Sequence, residues 1–135
     1  MIAVGLGCRK GCDKGEILRA IALGLNAVGL EHAHVSELYA PEFKRDEPGL
    51  AEAAAALHKP LLWLPLEELR AQAAGALTQS AVVLSQFGLP SIAETAALAG
   101  ARRAGQGAVK LLGPRVIAGA ATCALAELLE GTPSP

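Results

Sequence analysis

The first sixteen residues are Met1-Ile2-Ala3-Val4-Gly5-Leu6-Gly7-Cys8-Arg9-Lys10-Gly11-Cys12-Asp13-Lys14-Gly15-Glu16. The short apolar run predicts a buried β-strand, which breaks at Gly7 into a turn. A helix is expected next, because Asp13 and Glu16 have the spacing of a capping box. This succession is typical of an anion site, since free backbone N–H groups and the positive end of the helix dipole meet there. The turn and the helix start also carry three cations: Arg9, Lys10 and Lys14.

The glycines of this turn do not match the two common phosphate-binding patterns. Gly5, Gly7 and Gly11 are spaced G-x-G-x-x-x-G, one residue longer than the dinucleotide-binding pattern. The P-loop pattern also fails, because Lys10 precedes Gly11 and no hydroxyl residue follows at the required position. A structural turn that needs glycine for its backbone angles explains the same residues. The turn alone does not decide between this interpretation and an anion site.

Composition excludes several classes of function. The 135 residues suit one domain, placed at 1–130, followed by a flexible tail at 131–135. A net charge of -1 and an aromatic content of 3% argue against a nucleic-acid partner. No apolar run approaches the ~20 residues of a membrane span, and no signal peptide is evident. Three cysteines fit a reducing compartment, so we expect a cytoplasmic protein that does not bind a membrane.

Alternating strand and helix signals predict an α/β domain. The predicted strands are the first apolar run, Val35–Tyr39, Leu61–Leu64, Val109–Leu112 and Gly119–Leu125. The predicted helices are Lys14–Val28, one from Pro48 to Leu57, one opening at Pro65, Ala81–Phe87 with Thr78 as its cap, and one capped by Ser91. The segment 102–107 is expected to be a solvated loop. Strands separated by helices imply a three-layer α/β/α domain with a mixed, mainly parallel sheet, whose last two strands form an antiparallel hairpin.

Four blocks of sequence occur in order along the chain. They are Gly5-Leu6-Gly7-Cys8-Arg9-Lys10-Gly11, Lys44-x-x-Glu47-Pro48-Gly49-Leu50, Gly88-Leu89-Pro90-Ser91-Ile92-Ala93-Glu94-Thr95-Ala96-Ala97-Leu98, and Leu111-Leu112-Gly113-Pro114-Arg115 with Ala121-Thr122-Cys123-Ala124-Leu125-Ala126. Together they resemble the CobE family, which also forms the C-terminal domain of the cobalamin biosynthesis protein CbiG. The resemblance covers nearly the whole chain. Arg115 departs from the family's usual lysine, and an arginine there favours binding of a carboxylate over amine chemistry.

The resemblance implies a place in cobalamin biosynthesis and leaves the reaction open. CbiG opens a lactone ring on a cobalt-precorrin and releases acetaldehyde, but only its C-terminal part is represented here. Three functions therefore stand: a binding or carrier protein for a precorrin or corrinoid, a hydrolase acting on a precorrin lactone, and a phosphate- or nucleotide-binding regulatory module. No cofactor or metal is expected. The corrinoid and other cobalamin-pathway enzymes are the expected partners.

A precorrin is a flat apolar macrocycle edged with carboxylates, so its binder needs an apolar surface, cations and backbone donors. The candidate ligand-binding residues are Gly7, Cys8, Arg9, Lys10, Gly11, Lys44, Ser91, Glu94, Arg115 and Thr122. Glu94 is also the candidate general base, although a capping box with Ser91 explains its position equally well. Thr122 is recommended by its family block alone. Arg9, Lys10 and Lys44 are explained equally well as ordinary solvated charges.

The cysteines raise two further interpretations. A position near a helix N-terminus and Arg9 favours the thiolate of Cys8, which makes it a candidate nucleophile. Cys8 and Cys12 would join His32 and His34 in a metal site if the histidine segment were extended. No closing motif with zinc spacing supports that site. Small buried apolar side chains remain the favoured interpretation, above all for Cys123 in its apolar strand.

Overall fold

In the computed structural model, which describes residues 1–129, six strands form one sheet and five helices cover it. The strands are β1 (Ile2–Cys8), β2 (Val35–Pro41), β3 (Leu61–Leu64), β4 (Ala108–Leu111), β5 (Val116–Ala118) and β6 (Ala121–Leu129). The helices are α1 (Lys14–Ala27), α2 (Pro48–Leu57), α3 (Leu66–Arg70), α4 (Ala81–Phe87) and α5 (Ile92–Arg103). The tail predicted at 131–135 lies outside the described residues.

The sheet is mixed, as predicted. Its order is β3-β2-β1-β6-β4, with β5 also paired to β6. β1 is parallel to β2 and β2 to β3, whereas β6 is antiparallel to β1, β4 and β5. The sheet is not mainly parallel as expected, because three of its five strand pairings are antiparallel. All three involve the long strand β6, which runs back beside β1.

The last third of the chain contains a strand that sequence patterns missed. The predicted antiparallel partners are present as β4 and β6, but β5 lies between them in sequence and forms its own tight hairpin with β6. Gly119, predicted as the start of a strand, lies in the turn of this hairpin with a φ of +60°. Glycine adopts that left-handed conformation without a steric penalty, so the turn rather than the strand explains this residue.

Two hydrophobic cores lie on opposite faces of the sheet, which confirms the three-layer architecture. On one face, α1 and α2 bury Leu6, Ile17, Ile21, Leu38 and Leu50. On the other face, α3 and α5 pack around Ala3, Tyr39, Leu64, Leu69 and Ala97. Aliphatic side chains supply almost all of both cores. No single helix within residues 1–129 is long and apolar enough to cross a membrane; α4 and α5 together satisfy length and composition but meet at 63°.

Three local predictions are settled by the helix ends. The capping box of α1 is present, with Glu16 N donating to Asp13 Oδ1 over 2.8 Å. The predicted Thr78 cap is wrong: α4 begins at Ala81, so Ser80 occupies the N-cap position, and its hydroxyl oxygen accepts a hydrogen bond from Val83 N. The predicted solvated loop at 102–107 is partly wrong, since α5 continues through Arg103. Arg102 then closes the helix end by donating to the carbonyls of Gly105 and Gly107.

Helix α5 packs directly on the backbone of β1. A Cβ atom added to Gly5 would lie 2.1 Å from the Ala93 carbonyl oxygen and 2.3 Å from the Ala97 nitrogen. Both atoms belong to the backbone of α5, so only a shift of the whole helix would make room for a side chain. Residues from Ile92 to Ala101 are all buried in this arrangement.

Replacing Gly5 with alanine is expected to destabilise the protein by about 3 kcal/mol or to prevent folding, because the added methyl group overlaps the backbone of α5. Urea denaturation followed by circular dichroism measures the change. Gly113→Ala is the matched control, since a Cβ there meets nothing within 4 Å. The control should stay within about 0.5 kcal/mol of the wild type. Equal stability of the Gly5→Ala variant and the control would contradict the close approach of α5.

Candidate functional site

A cleft of about 630 Å³ lies beyond the carboxyl ends of β1 and β2. It falls within the usual size range of small-molecule sites. Its walls come from separate parts of the chain: Gly7, Cys8, Arg9 and Lys10 at the end of β1; Lys44 after β2; Ser80, Val82, Val83, Gln86 and Phe87 on or before α4; Ile92 at the start of α5; and Arg115, Ile117, Gly119, Ala120 and Thr122 around the β5–β6 hairpin.

The structure brings seven of the ten predicted ligand-binding residues into this cleft. They are Gly7, Cys8, Arg9, Lys10, Lys44, Arg115 and Thr122. Gly11, Ser91 and Glu94 do not line it. The sequence does not predict the wall contributed by α4, because nothing in this helix indicates that it lines the same cleft as the end of β1. In the structure, apolar residues of α4 such as Val82 are exposed, but this exposure cannot be read from the sequence.

The cleft combines positive charge with an apolar surface. Four of its lining side chains are cationic, those of Arg9, Lys10, Lys44 and Arg115, and none of the described lining residues is Asp or Glu. Val82 and Ile117 are 64% and 56% exposed although both are apolar. Phe87, which lies on α4 with Val82, also lines the cleft, and its ring stacks on Phe43 with the centroids 4.5 Å apart. An exposed apolar patch beside cations is suited to a flat apolar molecule with acidic substituents.

The backbone donors predicted to form the anion site are largely occupied by the protein's own carboxylates. Gly11 N donates to Glu47 Oε2 over 3.0 Å. Asp13 N and Glu16 N are taken by the reciprocal bonds of the capping box. The expectation of free N–H groups is therefore wrong at these three positions, since the acids that favour a helix start also fill it. Positive charge reaches the cleft through the side chains of Arg9 and Lys10 instead.

Glu16 has a second role that its capping position did not indicate. Its Oε2 atom accepts a hydrogen bond from Ala120 N at 2.6 Å, which fastens the β5–β6 turn to the start of α1. A Cβ atom on Gly119 would lie 2.0 Å from the same oxygen. The backbone of Arg9 completes the junction by donating to the Ala120 carbonyl over 2.9 Å. The turn that borders the cleft is thus held from two sides.

Glu94, near the start of α5, is buried with no part of its surface exposed to solvent, and it does not line the cleft. Ser91 caps α5 as predicted, because its Oγ accepts from Glu94 N at 3.3 Å. The second half of the predicted capping box is not formed: the Glu94 carboxylate instead accepts four hydrogen bonds from Leu77, Thr78 and Arg115. The carboxylate therefore faces its own loops, and the structure gives it no place on the cleft wall.

The pairing of two cysteines was not among the interpretations drawn from the sequence. Cys8 and Cys12 form a disulfide across the turn, with their Cα atoms 6.0 Å apart. A nucleophilic Cys8 thiolate is not available in this state, and neither sulfur is free for a metal. The histidine segment is also not extended: His32–His34 is a 3-10 turn in which His34 Nδ1 accepts from Glu31 N. Within residues 1–129, no group of three or more His, Cys, Asp or Glu is arranged to hold a metal ion.

Cys123 is buried in β6, with 1% of its surface exposed. Burial raises the pKa of its thiol to about 12, because the thiolate would lose its hydration in the apolar core. This agrees with the predicted role as a small apolar side chain.

The six-stranded sheet and its two helical layers form a three-layer α/β domain. Its cation-lined cleft lies at the end of the first strand. Residues 2–126 match the family model described as cobalamin synthesis G C-terminus, and the chain belongs to this family. No curated protein matches the chain.

Solved structures agree with the family. The chain is 37% identical to CobE, a protein from the cobalamin (vitamin B12) biosynthetic pathway, with a TM-score of 0.90 over 96% of this chain and 91% of that one. It is 36% identical to cobalamin biosynthesis protein chiG from Agrobacterium tumefaciens, with a TM-score of 0.74 over 96% of this chain and 100% of that one. A cobalamin biosynthesis protein G homologue from Sulfolobus solfataricus shares the fold at 19% identity, with a TM-score of 0.66 over 95% of this chain and 37% of that one. The chain is therefore a cobalamin biosynthesis protein.

The disulfide and the buried thiol predict a fixed pattern of alkylation. Iodoacetamide at pH 8 should add no group to the native, unreduced protein, because two cysteines are paired and Cys123 is buried with a raised pKa. Unfolding without reduction should expose one reactive thiol, and unfolding with reduction should expose three. Mass spectrometry of the intact protein counts the added groups. Alkylation of two or more cysteines in the native, unreduced protein would contradict the pairing.

Proposed function

We propose that the protein binds a precorrin or corrinoid intermediate in this cleft, as a carrier between enzymes of the cobalamin pathway. The observation that carries the proposal is the coincidence of four cations and an exposed apolar wall around one cleft that no described acid lines. The macrocycle would lie against Val82, Phe87 and Ile117, and its carboxylates would meet Arg9, Lys10, Lys44 and Arg115.

Estimated free energies assign different roles in binding to the ion pairs and to the apolar contact. An exposed ion pair contributes about 0.5 kcal/mol, so four such pairs strengthen binding by about thirtyfold. Contact with the apolar wall contributes more, since about 200 Å² of buried apolar surface corresponds to about 5 kcal/mol. Charge would therefore select and orient the ligand, while the apolar wall would supply most of the affinity.

Binding is favoured over hydrolysis by the state of the two candidate catalytic groups. Glu94, the candidate general base, has its carboxylate fully occupied away from the cleft. Cys8, the candidate nucleophile, is paired with Cys12. Neither group is placed to activate water or to attack a bound lactone.

Removing positive charge beside the end of β1 should weaken binding without blocking it. The Arg9→Ala/Lys10→Ala double variant is expected to bind a corrinoid about fivefold more weakly, because two exposed ion pairs are lost. An anaerobic absorbance titration with individual precorrins and hydrogenobyrinic acid measures the affinity from the shift of their visible bands. Lys110→Ala, which removes an exposed lysine of β4 away from the cleft, is the matched control and should bind like the wild type.

Two outcomes of this titration would overturn the proposal. The first is an unchanged affinity in the double variant, which would remove the site. The second is conversion of the ligand at substoichiometric protein, which would make the protein an enzyme and leave mass analysis of the product to identify the reaction.

Neutralising the ligand should have a larger effect than changing two cations. A corrinoid whose carboxylates are all converted to amides keeps its shape and apolar face but loses the partners of the four cations. We expect it to bind about thirtyfold more weakly than the free acid. The same absorbance titration compares the two ligands at constant ionic strength. Equal affinities would show that the cations take no part in binding.

A further inference from the structure

We propose that Glu94 is a positioning residue of the cleft, which holds two of its walls at a fixed separation without touching the ligand. One wall is α4 with the loop before it, and the other is the segment that carries Arg115. The proposal rests on the proposed function for its affinity measurement, but its structural part can be tested without any ligand.

The Glu94 carboxylate is the common acceptor of two segments that are far apart in sequence. Leu77 N and Thr78 N both donate to its Oε1 atom over 2.9 Å. The Thr78 hydroxyl and Arg115 N donate to its Oε2 atom over 2.8 and 2.9 Å. Two oxygens with four acceptor sites are thus fully used. The buried side chain connects the start of α5 to residues on both sides of the cleft.

Each connection ends close to a lining residue. The loop held at Thr78 continues directly into Ser80 and α4, which carries Val82 and Phe87 of the apolar surface of the cleft. On the other side, the held group is the backbone N–H of Arg115 itself, whose side chain lines the cleft. Glu94 therefore places a cation relative to the apolar wall, which is the combination that the proposed ligand requires.

The conservative variant Glu94→Gln separates this role from general stability. An amide has one accepting oxygen, so it can keep the bonds from Leu77 N and Thr78 N. Its NH₂ group would then face the N–H of Arg115, where two donors meet, while the Thr78 hydroxyl can turn to accept. The variant thus breaks the connection to Arg115 and leaves the side chain the same size.

A double-mutant cycle tests whether Glu94 acts through Arg115. In the absorbance titration, Arg115→Ala and Glu94→Gln should each weaken corrinoid binding by about threefold, and the double variant should be less than about twofold weaker than Arg115→Ala alone. Lys44→Ala is the matched control, because Lys44 is a cation of the same cleft that Glu94 does not contact. Its effect should multiply with that of Glu94→Gln. Multiplication in the Arg115 cycle as well would overturn the proposal.

Amide hydrogen exchange provides the readout that needs no ligand. In Glu94→Gln, exchange at Arg115 N–H should accelerate more than exchange at Leu77 and Thr78, because only its acceptor is lost. Unchanged exchange at Arg115 would overturn the positioning role. If the wild type bound no corrinoid, the proposed function would fail, while accelerated exchange would still support the connection.

A second pair of variants tests the proposal if Glu94→Gln does not fold. Thr78→Val removes one donor to the carboxylate, whereas Thr78→Ser retains it. Thr78→Val should weaken binding by about twofold and Thr78→Ser should restore it, since one neutral hydrogen bond is at stake. Equal affinity of the two variants would count against the proposal.

Discussion

The backbone contact between α5 and β1 is the constraint on which the rest of the structure depends. Gly5 permits the contact, because any side chain there would meet the Ala93 carbonyl. Gly7, two residues further along the same face, leaves room for Thr122, whose Oγ1 would lie 2.3 Å from an added Cβ. Gly5 and Gly7, whose spacing with Gly11 fits no common phosphate-binding pattern, thus serve packing. Their effect is to bring the start of α5, with Ile92 and Glu94, to the carboxyl end of β1.

Acidic and basic side chains are separated around the cleft. Glu16, Glu47 and Glu94 each accept hydrogen bonds from backbone N–H groups of the segments that form its walls. A carboxylate is well suited to this purpose because bonds from N–H groups to an ionised acceptor are stronger than bonds between neutral groups. Arg9, Lys10, Lys44 and Arg115, by contrast, line the cleft. None of the three glutamates does, so acidic residues hold the walls while the surface that the walls present is positive.

Sequence predicted the features that depend on neighbours along the chain. The capping residues Asp13 and Ser91 and the short strand Leu61–Leu64 all follow from local spacing, and each is present. The packing of helices on both faces of the sheet also follows from the alternation of strands and helices along the chain. Arg115 and Thr122 came from a family resemblance, and the fold brings both to the cleft.

What sequence did not predict depends on contacts between distant segments. Glu94 has the spacing of a capping box, but the loop at Leu77 and Thr78 offers three donors and Arg115 offers a fourth, so its carboxylate turns away from Ser91. The position of α4 on the cleft wall is equally non-local, because the other residues that line the cleft come from distant parts of the chain. The Thr78 hydroxyl, predicted to cap α4, likewise donates to Glu94, and Ser80 at the N-cap position caps the helix instead.

The cations themselves are the strongest argument that the cleft has a ligand. Within residues 1–129, no carboxylate oxygen lies within 4.0 Å of the charged nitrogens of Arg9, Lys10, Lys44 or Arg115, although Arg103 pairs with Glu68 elsewhere on the surface. Like charges gathered around one cleft repel each other and lower stability. An exposed apolar wall beside them adds a second feature that does not favour the isolated fold. A multiply acidic molecule with an apolar face would relieve both at once, and folding alone requires neither.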